Sequence, residues 1–179
     1  MKRLFLLSTF LFIAIASFGQ YKPLTTGSSV KFSLRNLGFE VTGSFSGLIG
    51  TINFDPKSLA DARFDVNIAA ATVNTDNSLR DEHLKGGDFF NVKDYPAIHL
   101  QAGKITAKGS GYQLTGTLTI KGKIKEVTFP FTATPTTDGY AFKGSFKINR
   151  KDFDVGGFST ISNEVEITLD VLAKKADHV

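Results

Sequence analysis

The sequence predicts an all-β protein, an antiparallel sandwich or barrel of about eight strands carrying one short helical insert. Three observations predict it. From residue 28 onward, apolar and polar residues alternate with the two-residue period of half-buried strands. Turn signals such as Asn36-Leu37-Gly38, Asp55-Pro56 and Lys121-Gly122 punctuate these runs at short intervals. One stretch breaks the pattern: Thr75 to Pro96 is charged, interrupted by Gly86-Gly87, and carries the pair Phe89-Phe90. A connection that long in a compact domain usually carries function or covers something.

Before the first strand, Lys2 and Arg3 precede an apolar run from Leu4 to Phe18, and small residues stand at Ser17 and Gly19. This is the pattern of a secretory signal peptide, residues 1–19, cut before Gln20. A single spanning helix is the competing reading, but the run is short of about 20 apolar residues. The remaining domain, residues 20–179, is then secreted or periplasmic. No cysteine stands at the cut to take a lipid anchor, and none occurs elsewhere, so disulfide and thiol chemistry are excluded. The formal charge is +4, of which Lys2 and Arg3 supply half. Nothing in that balance points to nucleic acid, and no later run is apolar enough to span a membrane.

The strands follow in order. Val30, Phe32 and Leu34 share a face, and after the turn so do Phe39, Val41, Gly43, Phe45 and Gly47. Gly50, Ile52 and Phe54 come next, then Phe64, Val66 and Ile68, with Ala69-Ala70-Ala71 suggesting a bend. Beyond the insert, Ile98, Leu100 and Ala102 alternate with His99 and Gln101. Tyr112, Leu114, Gly116, Leu118 and Ile120 form another face, as do Val127, Phe129 and Phe131. Tyr140, Phe142, Gly144, Phe146 and Ile148 precede the last strand, Val165, Ile167, Leu169 and Val171. Gly43, Gly116 and Gly144 interrupt apolar faces. They either let strongly coiled strands bend or leave room inside for a ligand. An eight-stranded barrel is just wide enough to be filled by side chains or to hold one small ligand. The chain has 17 phenylalanines, thirteen of them after Gln20, and no tryptophan, so many flat apolar rings must share that interior.

Within the insert, Ser78-Leu79-Arg80-Asp81 fits a capping box, with Ser78 as N-cap and Asp81 reaching back. A helix of about two turns, Leu79 to Lys85, cannot stand alone. It is expected to dock through Leu79, Leu84, Phe89 and Phe90. Chemistry is sparse. His83, His99 and His178 are far apart, and no histidine pair has helical metal-ligand spacing. Gly43-Ser44-Phe45-Ser46-Gly47 lacks the central serine of a nucleophile elbow. Carboxylates fall on solvent-side phases. An enzyme acting on a bound lipid would need a polar cluster inside the barrel, which these phases do not provide.

The motif Thr75-x-Asn77-x-x-Arg80-Asp81-x-His83-Leu84-x-x-x-Asp88-Phe89-Phe90, followed by Tyr95-Pro96, resembles the signature of the YceI family. The likeness extends through Gly43-x-Phe45, Gly50-x-Ile52-x-Phe54-Asp55 and Gly116-x-Leu118-Thr119-Ile120-x-Gly122. It continues through Asn149-Arg150-x-Asp152-Phe153 and Ser162-Asn163-Glu164-Val165. Leu100, Lys121 and Asp154 depart from it, standing where the family usually has Phe, His and Gly. The resemblance implies an elongated, antiparallel, eight-stranded, lipocalin-like β-barrel that holds a long isoprenoid or similar amphiphile.

On that reading the lipid-binding side chains include Phe32, Phe45, Ile52, Phe54 and Phe64 from the first strands, and Phe89 and Phe90 from the insert. Leu100, Gly116, Leu118, Phe129 and Phe131 follow, then Gly144, Phe146 and Phe153. Arg80 and Arg150 either pin the insert and a strand end through internal pairs or caps, or meet a polar ligand head. The expected partner is a long-chain isoprenoid, a quinone or a fatty-acid-like amphiphile; a homodimer is left open. No cofactor, metal or catalytic group is expected. A filled barrel with a structural or partner-binding role is the alternative. Intact mass of exported protein is expected to show Gln20 at the N-terminus, open or cyclised; retained Met1 would contradict the signal peptide.

Overall fold

The computed structural model describes residues 19–176; the expected signal segment lies almost wholly outside them. Ten strands form one antiparallel sheet: β1 (Gln20–Pro23), β2 (Ser29–Asn36), β3 (Phe39–Phe45), β4 (Ile49–Asn53) and β5 (Arg63–Ala69) precede the insert. β6 (Ala97–Lys108), β7 (Gly111–Ile120), β8 (Lys123–Pro135), β9 (Gly139–Asn149) and β10 (Glu164–Lys175) follow it. The order is β1-β4-β5-β6-β7-β8-β9-β10, and β1 also pairs with β10, which closes an eight-stranded barrel. The hairpin β2–β3 is added on the same edge of β10. The expected strand number is thus that of the closed ring. Gln20-Tyr21-Lys22-Pro23 forms a strand that the sequence pattern does not mark, because four residues are too few to display a period.

β10 is the hinge of this topology. One edge pairs with β9 from Glu164↔Asn149 to Lys174↔Gly139. The other edge pairs with β2 over Glu166 to Asp170, then with β1 over Ala173 to Lys175. The two ends of the barrel therefore differ. At the β1 end the ring is tight and solid. Phe54, 2% exposed, presents rings edge-on to Phe64, Tyr112, Phe131, Tyr140 and Phe142, at centroid distances from 5.1 to 6.4 Å. Tyr21 packs edge-on against Tyr140 at 5.2 Å. Burial raises the pKa of both tyrosines, with Asp55 adding to the effect on each.

The other end is wider. Here the helix α1 (Ser78–Lys85), the β7–β8 turn and the β9–β10 connection gather. β5 stops at Ala69 and turns through a 3-10 segment, Ala70–Thr72, where the alanine run had suggested a bend. No helix among the described residues is long and apolar enough to cross a membrane.

Two side-chain phases need correction. Phe39 shares the phase of Phe45 but sits at the tip of the β2–β3 hairpin and is 78% exposed. Gly116 does not open space in the interior. It faces the bulge where the register shifts between Ala102 and Lys104. A Cβ there would collide with the Gln101 carbonyl and stand 2.8 Å from Ala102 Cα. Gly43 is likewise occupied, by the Phe32 ring lying over it. Gly116→Leu is therefore expected to destabilise by at least about 1–3 kcal/mol, read as a lower urea midpoint. A stable Gly116→Leu protein would contradict this packing.

Candidate functional site

The barrel interior contains a cavity of about 190 Å³. For scale, an apolar cavity of roughly 150 Å³ stays dry and accepts a small apolar ligand. Its position follows from strand phase. Floor and lower wall come from Ile52 of β4, Phe64 of β5, and Phe131 and Phe142 beside the aromatic plug. Phe32 and Phe45 arrive from β2 and β3, Leu100 from β6 and Leu118 from β7. Phe129, Gly144 and Phe146 line the β8–β9 side, while Phe89, Phe90 and Phe153 lie toward the wide end.

Thirteen of the fifteen expected lipid-facing residues therefore lie around one space. Phe54 is the first exception; it belongs to the plug beneath the cavity. Gly116 is the second, for the reason given above. Gly144 does face the cavity, but tightly: a Cβ there would lie 3.0 Å from the Pro130 carbonyl oxygen and 3.3 Å from Phe131 Cβ. Sequence reasoning left out Val30, Leu34, Ile148, Ile167 and Leu169, although their inward phase was visible. Val155 and Ile161 lie in the β9–β10 connection, where no period marks them.

The connections at the wide end are tied together by side-chain and backbone hydrogen bonds. Asn77, not Ser78, caps α1, its side chain accepting from the Arg80 N–H. Asp81 reaches past the helix start: Oδ1 accepts from the Thr75 N–H at 2.9 Å and hydroxyl at 2.6 Å. Leu84 and the Phe89-Phe90 pair turn inward as expected, but Leu79 is 84% exposed and does not dock. Beyond the helix, Gly156 N–H donates to the Asp88 carbonyl at 2.7 Å. Lys121 Nζ donates to the carbonyls of Gly87 and Asp154, tying insert, β7–β8 turn and β9–β10 connection together. Asp154 adopts φ 54°, a conformation glycine reaches most easily, and its carboxyl is held below the ordinary range by Lys123.

Neither arginine offers a hydrogen bond to the cavity. Arg80 lies away from it, donating from Nε to Thr75 Oγ1 and from Nη2 to the Thr75 carbonyl. Arg150 does line the cavity and is only 4% exposed. Its five N–H groups are all committed. Nε donates to Ser162 O, Nη1 to Val155 O and Gly156 O, and Nη2 to Ser159 Oγ and Ile161 O. Burial lowers its pKa, yet guanidinium stays charged at neutral pH. Arg150 therefore folds the connection 155–162 around itself. Among the described residues no three or more metal-ligating side chains converge.

The chain matches the YceI-like domain over residues 21–173. A UPF0312 protein of Yersinia pestis (strain Pestoides F) is 32% identical over 150 residues, covering 79% of this chain and 78% of that protein. A UPF0312 protein of Pseudomonas aeruginosa (strain LESB58) has the same identity and coverage. Among solved structures, Burkholderia cenocepacia BcnA superposes with a TM-score of 0.79 at 28% identity, covering 83% of this chain and 98% of that one. A polyisoprenoid binding domain from Saccharophagus degradans superposes with a TM-score of 0.66, covering 87% of this chain and 98% of that one; at 14% identity it shows likeness of fold alone.

Replacing Arg150 by Met keeps length and apolar contact but removes the donors to the Val155, Ile161 and Ser162 carbonyls, while Gly156 O keeps the Ser159 hydroxyl at 2.9 Å. Unsatisfied buried acceptors cost about 1–3 kcal/mol each, so a loss of at least about 3 kcal/mol is expected from urea unfolding. Arg150→Lys should recover little of it, because an ammonium cannot reproduce the planar fork.

Proposed function

This chain belongs to the YceI-like family, and we propose that it binds a long-chain amphiphile, an isoprenoid first among the candidates, as a secreted or periplasmic carrier. The observation that carries the reading is the cavity lining, which is side-chain carbon almost throughout. The cavity begins at the aromatic plug and extends under the insert, so it suits a chain rather than a compact polar molecule. The polyisoprenoid binding domain of the same fold supports the isoprenoid among the apolar alternatives.

The energetics favour a tail-driven fit. Each methylene moved out of water contributes about 0.8 kcal/mol. A single polar contact adds about 0.5–1.5 kcal/mol. Affinity should thus grow with tail length and respond weakly to the head. Binding here needs no catalytic group; the open volume also weighs against a barrel filled by its own side chains.

Solvent extraction of the purified protein followed by mass spectrometry is expected to release a stoichiometric isoprenoid or related amphiphile. Leu169, on β10, faces the cavity and is half-buried. Leu169→Trp should fill that space and cut uptake of a fluorescent lipid at least tenfold, about 1.4 kcal/mol, with the fold retained. An empty extract, together with undiminished stability and no lipid uptake by the wild-type protein, would favour the structural alternative.

A further inference from the structure

The barrel wall is split between β8 and β9. Their ladder runs only from Pro135↔Tyr140 to Phe131↔Gly144. Beyond it, β8 from Lys123 to Pro130 pairs with β7 alone, and β9 from Ser145 to Asn149 with β10 alone. Pro130, which has no N–H to offer, stands where the ladder stops. Just past that point Phe129 and Phe146 stack across the opening, with centroids 4.3 Å apart and planes 10° apart. The short 3-10 helix Arg150–Phe153 brings Phe153, 1% exposed, into the seal.

A second hollow of about 190 Å³ occupies this split. Its rim is polar: Lys125, Glu126 and Thr128 from β8, Lys147 and Asn149 from β9, and Asp152. Its floor is apolar, and Phe146, Ile148 and Phe153 line both this hollow and the main cavity. One layer of apolar side chains therefore separates a polar cleft from an apolar chamber. The chamber itself has no uncommitted arginine donor for a head group.

We propose that the β8–β9 cleft is the head-group site, with the ligand's tail in the chamber and its polar end emerging between Phe146 and Phe153. This deepens the amphiphile reading above and rests on it. The cleft takes an uncharged polar head, a hydroxyl or a carbonyl. The rim carries Lys125 and Lys147 with Glu126 and Asp152, so formal charge cancels, and Lys147 is already held by Glu164 at 2.7 Å. The Asn149 carbonyl oxygen caps the Lys151 N–H, leaving its amide nitrogen to donate.

The absence of native cysteine makes single thiols readable. Delipidated Thr128→Cys, Lys147→Cys and Leu79→Cys proteins are loaded with geranylgeraniol and labelled with a maleimide. The first two thiols flank the cleft; the third sits on the exposed face of the insert. Loading is expected to slow labelling at 128 and 147 at least fivefold and to leave 79 unchanged. Retained geranylgeraniol with no protection at either cleft position, or protection at 79 instead, overturns the cleft and leaves the cavity reading intact. Failure of the wild-type protein to retain geranylgeraniol or its monophosphate overturns the cavity reading and the cleft with it. Alcohol and monophosphate should bind within threefold of each other; a phosphate preference above tenfold overturns the uncharged-head assignment.

Discussion

Everything in this molecule depends on β10 having one continuous edge and one divided edge. The continuous edge, against β9, sets the long axis of the barrel. The divided edge hands over from β2 to β1 between Asp170 and Ala173. Sheet closure removes exposed edges, but here closure is made twice with different partners. Where β1 closes the ring, opposing walls are near enough for Phe54 to touch five aromatic rings. Where the β2–β3 hairpin takes over, side chains pack against the walls and the insert, as Phe45 does on Phe32 and Phe90, and leave a space between them. The cavity follows from strand topology before any residue in it is considered.

Covering that wide end sets a different problem, because backbone groups in long connections need partners. The chain solves it with a few polar side chains that satisfy carbonyls and amides locally. Thr75, Arg80 and Asp81 fix the start of α1. Lys121 bridges two connections. Arg150 gathers five acceptors from a single loop. The charges that look functional in the sequence are thus spent on holding the cover, and the chamber beneath is left to carbon. Arg150 shows the logic well. A buried guanidinium without a carboxylate partner is costly unless every donor is used, and every donor is used.

Much of this was legible in the sequence. The period-two alternation placed most strands and ten of the thirteen expected residues that line the cavity, because in a closed barrel the inward phase is both core and cavity; Phe89, Phe90 and Phe153 came from the insert and the family-like motifs. What alternation cannot give is depth along the barrel. Phe54 and Phe64 have the same phase, yet one is plug and the other wall, a distinction made by which strands close around them. Gly116 and Gly144 also look alike in sequence. The bulge at Gly103 brings the β6 backbone against Gly116, whereas the end of the β8–β9 ladder leaves Gly144 facing the chamber. The capping motif was found one residue late. Ser78 and Asn77 are both good caps, and the partner of Asp81, Thr75, lies outside the four-residue box.

The cavity also has a cost that constrains its use. Empty apolar volume costs roughly 24 cal/mol per Å³, so about 190 Å³ corresponds to about 4–5 kcal/mol. Net stabilities are about 5–15 kcal/mol for an ordinary domain, and a void of this size is a large fraction of that. Filling it would have been simple for a chain so rich in phenylalanine. Instead the densest ring cluster is the plug, where edge-on contacts contribute beyond their buried area, while around the chamber rings such as Phe32 and Phe146 are interspersed with Val30, Leu34, Ile148, Ile167 and Leu169. Stability is concentrated at one end so that the other can remain open. An apolar occupant would return the cost of the void, so occupancy and stability are coupled through the same side chains.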